Sequence, residues 1–231
     1  DRLRSRGLGD VYKRQMLYYD LYISAGEYVS LQQMFNRLSE DNVFVDEVCQ
    51  LTEIMMSRCN ALEQEDNSVF RDSFPLKLHG VYTKAQIQVA IETSTLEKMS
   101  SSREGCERNT LNGIPMEAMF VDVIKDREEG SNTNYKDFAQ SAVKFHWETQ
   151  NSVRQESPTG QSYIKGSREM LLFVRKQKNA AENKYRTLGY VYLGKVTLDK
   201  YAGNKPMQIV WNLKTPMPGS VYEYAATLAN V

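Results

Sequence analysis

Residues 207–213 follow a period of two: Met207, Ile209, Trp211 and Leu213 are large and apolar, while Gln208 and Asn212 between them are polar. Only a pleated strand sends alternate side chains to opposite faces, so this segment predicts a half-buried strand that needs sheet partners. Lys205-Pro206 opens it, and Pro216 and Pro218 stop it. Partners are at hand. Met170–Val174 is a short apolar run of buried-strand type, and Met116–Ile124 is rich in β-formers. Tyr190–Leu198 has strand composition with Gly194 inside it, which marks a bulge or bend. Phe145–Gln150 also alternates. It places His146, Glu148 and Gln150 on one face and Phe145, Trp147 and Thr149 on the other. Several short strands with polar turns predict a small twisted sheet or open barrel.

Upstream the pattern changes. Residues 16–67 read as helical: Ser30 caps a stripe of Leu31, Met34, Phe35 and Leu38, and a second stripe runs from Val45 through Val48 and Cys49 to Met55 and Cys59. Both are expected to be packing faces. Glu63–Asn67 reads as a polar linker. Residues 75–93 predict a short strand, Leu76–His79, then a helix capped by Thr83 with Ile87, Val89, Ala90 and Ile91 on its apolar face. Ser94–Gly113 is expected to form loops and Arg127–Thr133 a turn. The fold class is therefore α+β, an N-terminal helical segment followed by a β-rich, open-barrel-like C-terminal domain.

Ser5–Gln15 reads SRGLGDVYKRQ, which is what the codons of a transposon-end sequencing adapter translate to. Residues 1–15 are accordingly read as adapter-derived and set aside from fold reasoning, with natural sequence expected upstream of Met16. Without them the chain is electrostatically divided. Residues 16–141 hold 11 basic and 21 acidic side chains, and residues 142–231 hold 13 and 6. Such asymmetry predicts an anionic partner for the basic part. Cys49, Cys59 and Cys106 are widely spaced and form neither a disulfide framework nor a zinc pattern. No apolar run approaches 18 residues, so no membrane span is expected and the cytoplasm is the default location.

The strings FHWETQN (145–151), SPTGQSYI (157–164), MLLFVRK (170–176), LGYVYLG (188–194), KPMQIVWNL (205–213) and TPMP (215–218) carry a family resemblance in one order. PLKLHGVYTKAQI (75–87), SREG (102–105) and NYKDFAQS (134–141) agree with it. Together they resemble the C-terminal domain of unknown function on bacterial superfamily II DEAD/DEAH-type helicases of restriction and phage-defence systems. The resemblance covers roughly residues 75–231, with a β-rich core over 116–218. It implies that residues 16–67 are the connector behind a missing helicase region, and that ATP and Mg belong to that helicase core. A phospholipase-D-type nuclease often stands at the front of such proteins. It also implies possible defence-system subunits as partners. The chain has no G-x-x-x-x-G-K-[ST] phosphate loop and no DEAD/DEAH box, so no cofactor and no catalysis are expected in this fragment. The family usually has glutamine where this chain has Glu148, which argues against an essential carboxylate there.

The expected role is non-catalytic DNA binding. His146 and Gln150 would touch backbone or bases. Ser157, Thr159, Gly160 and Gln161 would form a tight polar loop able to cradle phosphate. Tyr163, beside Lys165 and Arg168, suits base stacking. Arg175, Lys176, Lys184 and Arg186, with Lys178, would gather at one hairpin end and contact phosphates. Two rival readings stand beside this one. A metal-dependent nuclease would use His146 with Glu148, or Glu117 with Asp122. A protein-interaction platform would bind partner restriction-modification subunits.

Overall fold

The computed structural model describes residues 2–22, 25–59, 74–102, 105–125 and 136–226, excepting the side chains of 2–10, 55–59 and 184–185. The linker expected at Glu63–Asn67, the turn at Arg127–Thr133 and Arg103-Glu104 of SREG lie outside these residues. The chain divides into two compact units, Asp1–Arg103 and Glu104–Val231.

The first unit is helical. It contains α1 (Arg2–Tyr22), α2 (Leu31–Leu38), α3 (Asn42–Cys59), the two-residue strand β1 (Val81–Tyr82) and α4 (Lys84–Ala90). Helix α1 runs through the stretch read as adapter-derived. Ser30 caps α2 as expected, its hydroxyl accepting from the Gln33 amide at 3.2 Å. Thr83 caps α4 in a reciprocal box with Gln86, and Ile87, Val89, Ala90 and Ile91 are all buried. Helices α1 and α4 pack together, and Gln86 Nε2 donates to Asp20 at 2.7 Å. Two expectations fail here. Residues 76–79 form no strand; His79 has φ 63° and turns the chain just before β1. The α3 stripe is incompletely covered, with Leu51 57% exposed and Cys49 also exposed.

The second unit is an open mixed sheet with two helices. Its elements are β2 (Cys106–Leu111), β3 (Ile114–Asp122), β4 (Phe138–Ser141), β5 (Lys144–Glu148), α5 (Pro158–Ile164), β6 (Glu169–Arg175), β7 (Asn179–Ala180), β8 (Asn183–Thr187), β9 (Tyr190–Ala202), β10 (Gln208–Leu213) and α6 (Gly219–Ala226). The sheet order is β2-β3-β6-β9-β10-β5-β4, with β7 and β8 paired separately. Strands β3 and β6 run parallel and their neighbours antiparallel. The sheet does not close, so the α+β class holds.

One face of the sheet builds the core. Met119, Val121, Phe145, Trp147, Leu172, Ile209 and Trp211 pack with Tyr163 of α5 and with Val221 and Ala225 of α6. Met207, Ile209, Trp211 and Leu213 are buried as the alternation requires. Val210 on the opposite face is also buried, so β10 is more than half covered. On that second face Phe120 stacks on Phe173 and Phe173 on Tyr192, with centroids 5.7 and 4.8 Å apart. Gly194 has φ 92° where the β6–β9 register shifts, which is the expected bulge. Ser94–Gly113 was expected to be loop throughout, yet β2 lies within it. Asn112 (φ 49°) and Gly113 (φ 77°) make a two-residue turn into β3. Asn-Gly is the residue pair that such hairpin turns favour, because both positions are left-handed.

Candidate nucleic-acid interface

Strand β5 places Phe145, Trp147 and Thr149 toward the core, as its alternation requires. His146 faces the other way but is also buried, 9% exposed. Its Nδ1 lies 2.7 Å from the Lys136 carbonyl, and its ring stacks on Phe138 with centroids 4.7 Å apart. A ring held by a backbone carbonyl and an aromatic face is a structural anchor, so the expected base contact by His146 is not available in this arrangement. Gln150 follows the strand and is exposed. Glu148 accepts from the Lys136 amide at 3.0 Å and from Gln208 at 3.3 Å.

Residues 157–161 are the start of α5 rather than a phosphate-cradling loop. Ser157 is the N-cap, accepting from the Gly160 amide at 3.1 Å and donating to the Arg154 carbonyl at 2.7 Å. Pro158 occupies the first turn, where its missing N–H costs nothing. Gly160 is required by contact: a Cβ there would sit 2.0 Å from the Arg154 carbonyl oxygen. Thr159 is half-buried and accepts from the Ser162 hydroxyl through its carbonyl, and Gln161 donates to the Gln155 carbonyl. The hydroxyl and amide meant to hold phosphate thus satisfy each other. Tyr163 is corrected as well. It is 3% exposed, packed edge-on against Trp147, and donates to Glu117 at 2.7 Å, so no base can stack on it.

Of the expected phosphate contacts, Arg175 is buried, 7% exposed. Its Nε and Nη2 bind Asp122 at 2.6 and 3.0 Å, Nη1 donates to the Leu188 carbonyl, and the guanidinium lies 4.1 Å over the Tyr190 ring. Each of its three nitrogens has a protein partner. Lys176, Lys178 and Arg186 are exposed, Arg186 with Glu182 3.7 Å away, and the Lys184 side chain lies outside the described residues.

The candidate residues do not converge on one site. Lys176 follows the end of β6 that pairs with the start of β9, whereas Gln150, Ser157 and Thr159 neighbour the far end of β9. Strand rise separates the two ends of β9 by on the order of 30–40 Å.

At that far end lies a feature missed in the sequence. The loop after β5 is tied to the β9–β10 turn: Gln155 N donates to Asn204 Oδ1 at 2.9 Å, Gln155 Nε2 to the Gly203 carbonyl at 2.7 Å, and Lys205 N to the Val153 carbonyl. Thr149 and Met207 exchange backbone and hydroxyl bonds beneath. Lys205 is held at φ 59°, a left-handed conformation costing about 1 kcal/mol for a residue with a Cβ. Arg154, Lys200, Tyr201 and Lys205 are all exposed on this tip. The signal available was Lys200-Tyr201 followed by a Gly-Asn turn and Lys205, an aromatic between cations at a hairpin end.

Several carboxylates of this unit are engaged by protein partners. Glu117, fully buried, binds Arg108 at 2.7 Å and Tyr163. Burial, then the nearby Glu117 charge, pushes the Cys106 thiol well above its ordinary range. Asp122 is held by Arg175, Asp137 by Lys125 at 2.8 Å, and Asp199 by Lys144 at 2.7 Å. Burial raises Asp137 above the ordinary carboxylate range despite Lys125. Neither pair named for the nuclease reading offers bare carboxylates: Glu117 and Asp122 are paired with arginines, and Glu148 is bonded to its neighbours. Among the described residues no three His, Cys, Asp or Glu side chains group as metal ligands, and no helix is long and apolar enough to cross a membrane.

A family model described as a domain of unknown function, DUF3427, matches residues 76–225. A search of curated proteins gives no match.

Proposed function

The chain belongs to the DUF3427 family of domains of unknown function, and we propose that it is a non-catalytic DNA-binding accessory module. On this reading it serves an ATP-dependent helicase of a restriction or phage-defence system. One observation carries the proposal. The second unit internalises or pairs most of its described carboxylates and leaves several of its cations exposed and outside any described ion pair. Glu117, Asp122, Asp137 and Asp199 each hold a basic partner. Arg154, Lys165, Lys176, Lys178, Lys205 and Lys214 are exposed with no ion pair among the described residues. A surface sorted this way attracts a polyanion through counterion release. The absence of a phosphate-loop motif from the sequence supports an accessory role, with the motor supplied elsewhere.

The test is fluorescence anisotropy of the whole chain with a labelled DNA duplex across a salt series. Binding at low salt that weakens steeply, with a log–log slope of several, is expected. No binding at low salt, or binding indifferent to salt, overturns the proposal.

A second reading, a platform for partner subunits, is favoured by a different feature. In the first unit Leu17, Leu21, Phe35, Leu38, Phe44 and Val48 line an apolar groove of about 440 Å³. Association with partner subunits by a chain that binds no DNA would select this reading.

A further inference from the structure

Resting on the DNA-binding reading above, we propose that Tyr201 is a stacking platform for an unpaired base, so that the β9–β10 tip engages single-stranded DNA in preference to duplex. Tyr201 is 42% exposed, although it belongs to a strand whose earlier residues are largely buried. The exposure follows from register. Tyr201 pairs with Ile209, which pairs with Trp147, so the three share one face of the sheet. Ile209 and Trp147 are buried, whereas Tyr201 is exposed. An exposed aromatic ring on a packed face offers an apolar surface on a rigid support, which lowers the entropy lost when a base stacks on it.

The surroundings suit a nucleotide. Lys200 precedes the ring and Lys205 lies across the turn, both exposed. The nearby acids are engaged. Asp199 binds Lys144 at 2.7 Å and Asn212 at 3.2 Å, and these bonds hold its carboxyl below the ordinary range. Glu156 accepts from Asn204 at 3.4 Å. The turn is braced by both hydrogen bonds from Gln155, so the ring and the cations keep a fixed spacing. Tyr222, also exposed in this unit, sits on α6 beside Glu223 and has no such cationic flanks. A duplex keeps its base faces stacked on one another, whereas a single strand offers them to an aromatic partner flanked by cations.

The experiment titrates the full chain into labelled oligothymidylate and into a duplex of equal length, using wild type, Tyr201→Ala and Tyr201→Phe. Tighter binding to the single strand is expected, with Tyr201→Ala weakening it about tenfold, the duplex changing by less than about twofold, and Tyr201→Phe retaining wild-type affinity. An unchanged thermal melt identifies Tyr201→Ala as folded. Binding of both DNA forms that is indifferent to position 201, or weakened equally, overturns this inference and leaves the DNA-binding reading standing. Failure of the wild-type chain to bind either form overturns both.

Discussion

Arg175 grips Asp122 through two nitrogens, at 2.6 and 3.0 Å, across the parallel pair β3–β6. The same guanidinium covers the Tyr190 ring and bonds the Leu188 carbonyl, so it ties the end of β6 to the chain entering β9. Burial, then the Asp122 charge, raises the Tyr190 hydroxyl above its ordinary range. Lys176, one residue on, is exposed. Adjacent cations at the end of β6 therefore have opposite duties, one structural and one open to solvent.

Removing them should separate stability from binding. Arg175→Ala strips a buried, bidentate partner from Asp122 and is expected to destabilise the fold by about 2–4 kcal/mol in urea unfolding. Arg175→Lys should not restore it, because an ammonium cannot reproduce the planar fork. Lys176→Ala should change stability by less than about 0.5 kcal/mol. If Lys176 meets phosphate, its loss also lowers the salt slope of DNA binding by about one. Equal stability losses at the two positions would refute the division.

The Asp137–Lys125 pair predicts a pH dependence. Asp137 is 4% exposed, bonds the Glu148 amide at 2.9 Å and Lys125 Nζ at 2.8 Å, and titrates above its ordinary value because burial outweighs these partners. A carboxyl raised in the folded state binds more protons folded than unfolded. Its contribution therefore turns against the fold as pH rises above the unfolded carboxylate value. Lys125→Ala removes the favourable charge and should raise Asp137 further. The variant is then expected to lose more stability at about pH 7.5 than at about pH 4.5, read as urea midpoints. A loss that is uniform with pH would contradict the assignment.

Gly160 and Ser157 test the N-terminus of α5. A Cβ at position 160 would overlap the Arg154 carbonyl, so Gly160→Ala should destabilise the protein by about 2–3 kcal/mol. Ser157→Ala removes the cap and should lose about 1 kcal/mol. Thermal melts measure both. If these residues bound phosphate instead, Ser157→Ala would weaken DNA binding while leaving the melt unchanged.

Much of the architecture was written in local pattern. Period-two alternation named β10 and the inward face of β5, apolar runs named β3 and β6, and Gly194 marked the bulge in β9. Ser30 and Thr83 signalled their helices through short-range hydrogen bonds. These features are decided within a few residues, so the sequence alone determined them. Asn112-Gly113 was equally local, and the hairpin it makes was there to be read.

What partners each polar side chain was decided only by the tertiary structure. Tyr163 beside Lys165 and Arg168 looks like a nucleic-acid surface in the sequence, yet α5 turns it inward onto Glu117, 46 residues away. Arg175 heads a basic run, yet parallel pairing sets it against Asp122, 53 residues earlier. The pairing of β9 with β10 and β10 with β5 likewise put Tyr201 on the core face yet exposed, beside a turn that Gln155 braces. Charge and residue type are properties of the chain, whereas desolvation and pairing belong to residues distant in sequence that the sheet order brings together.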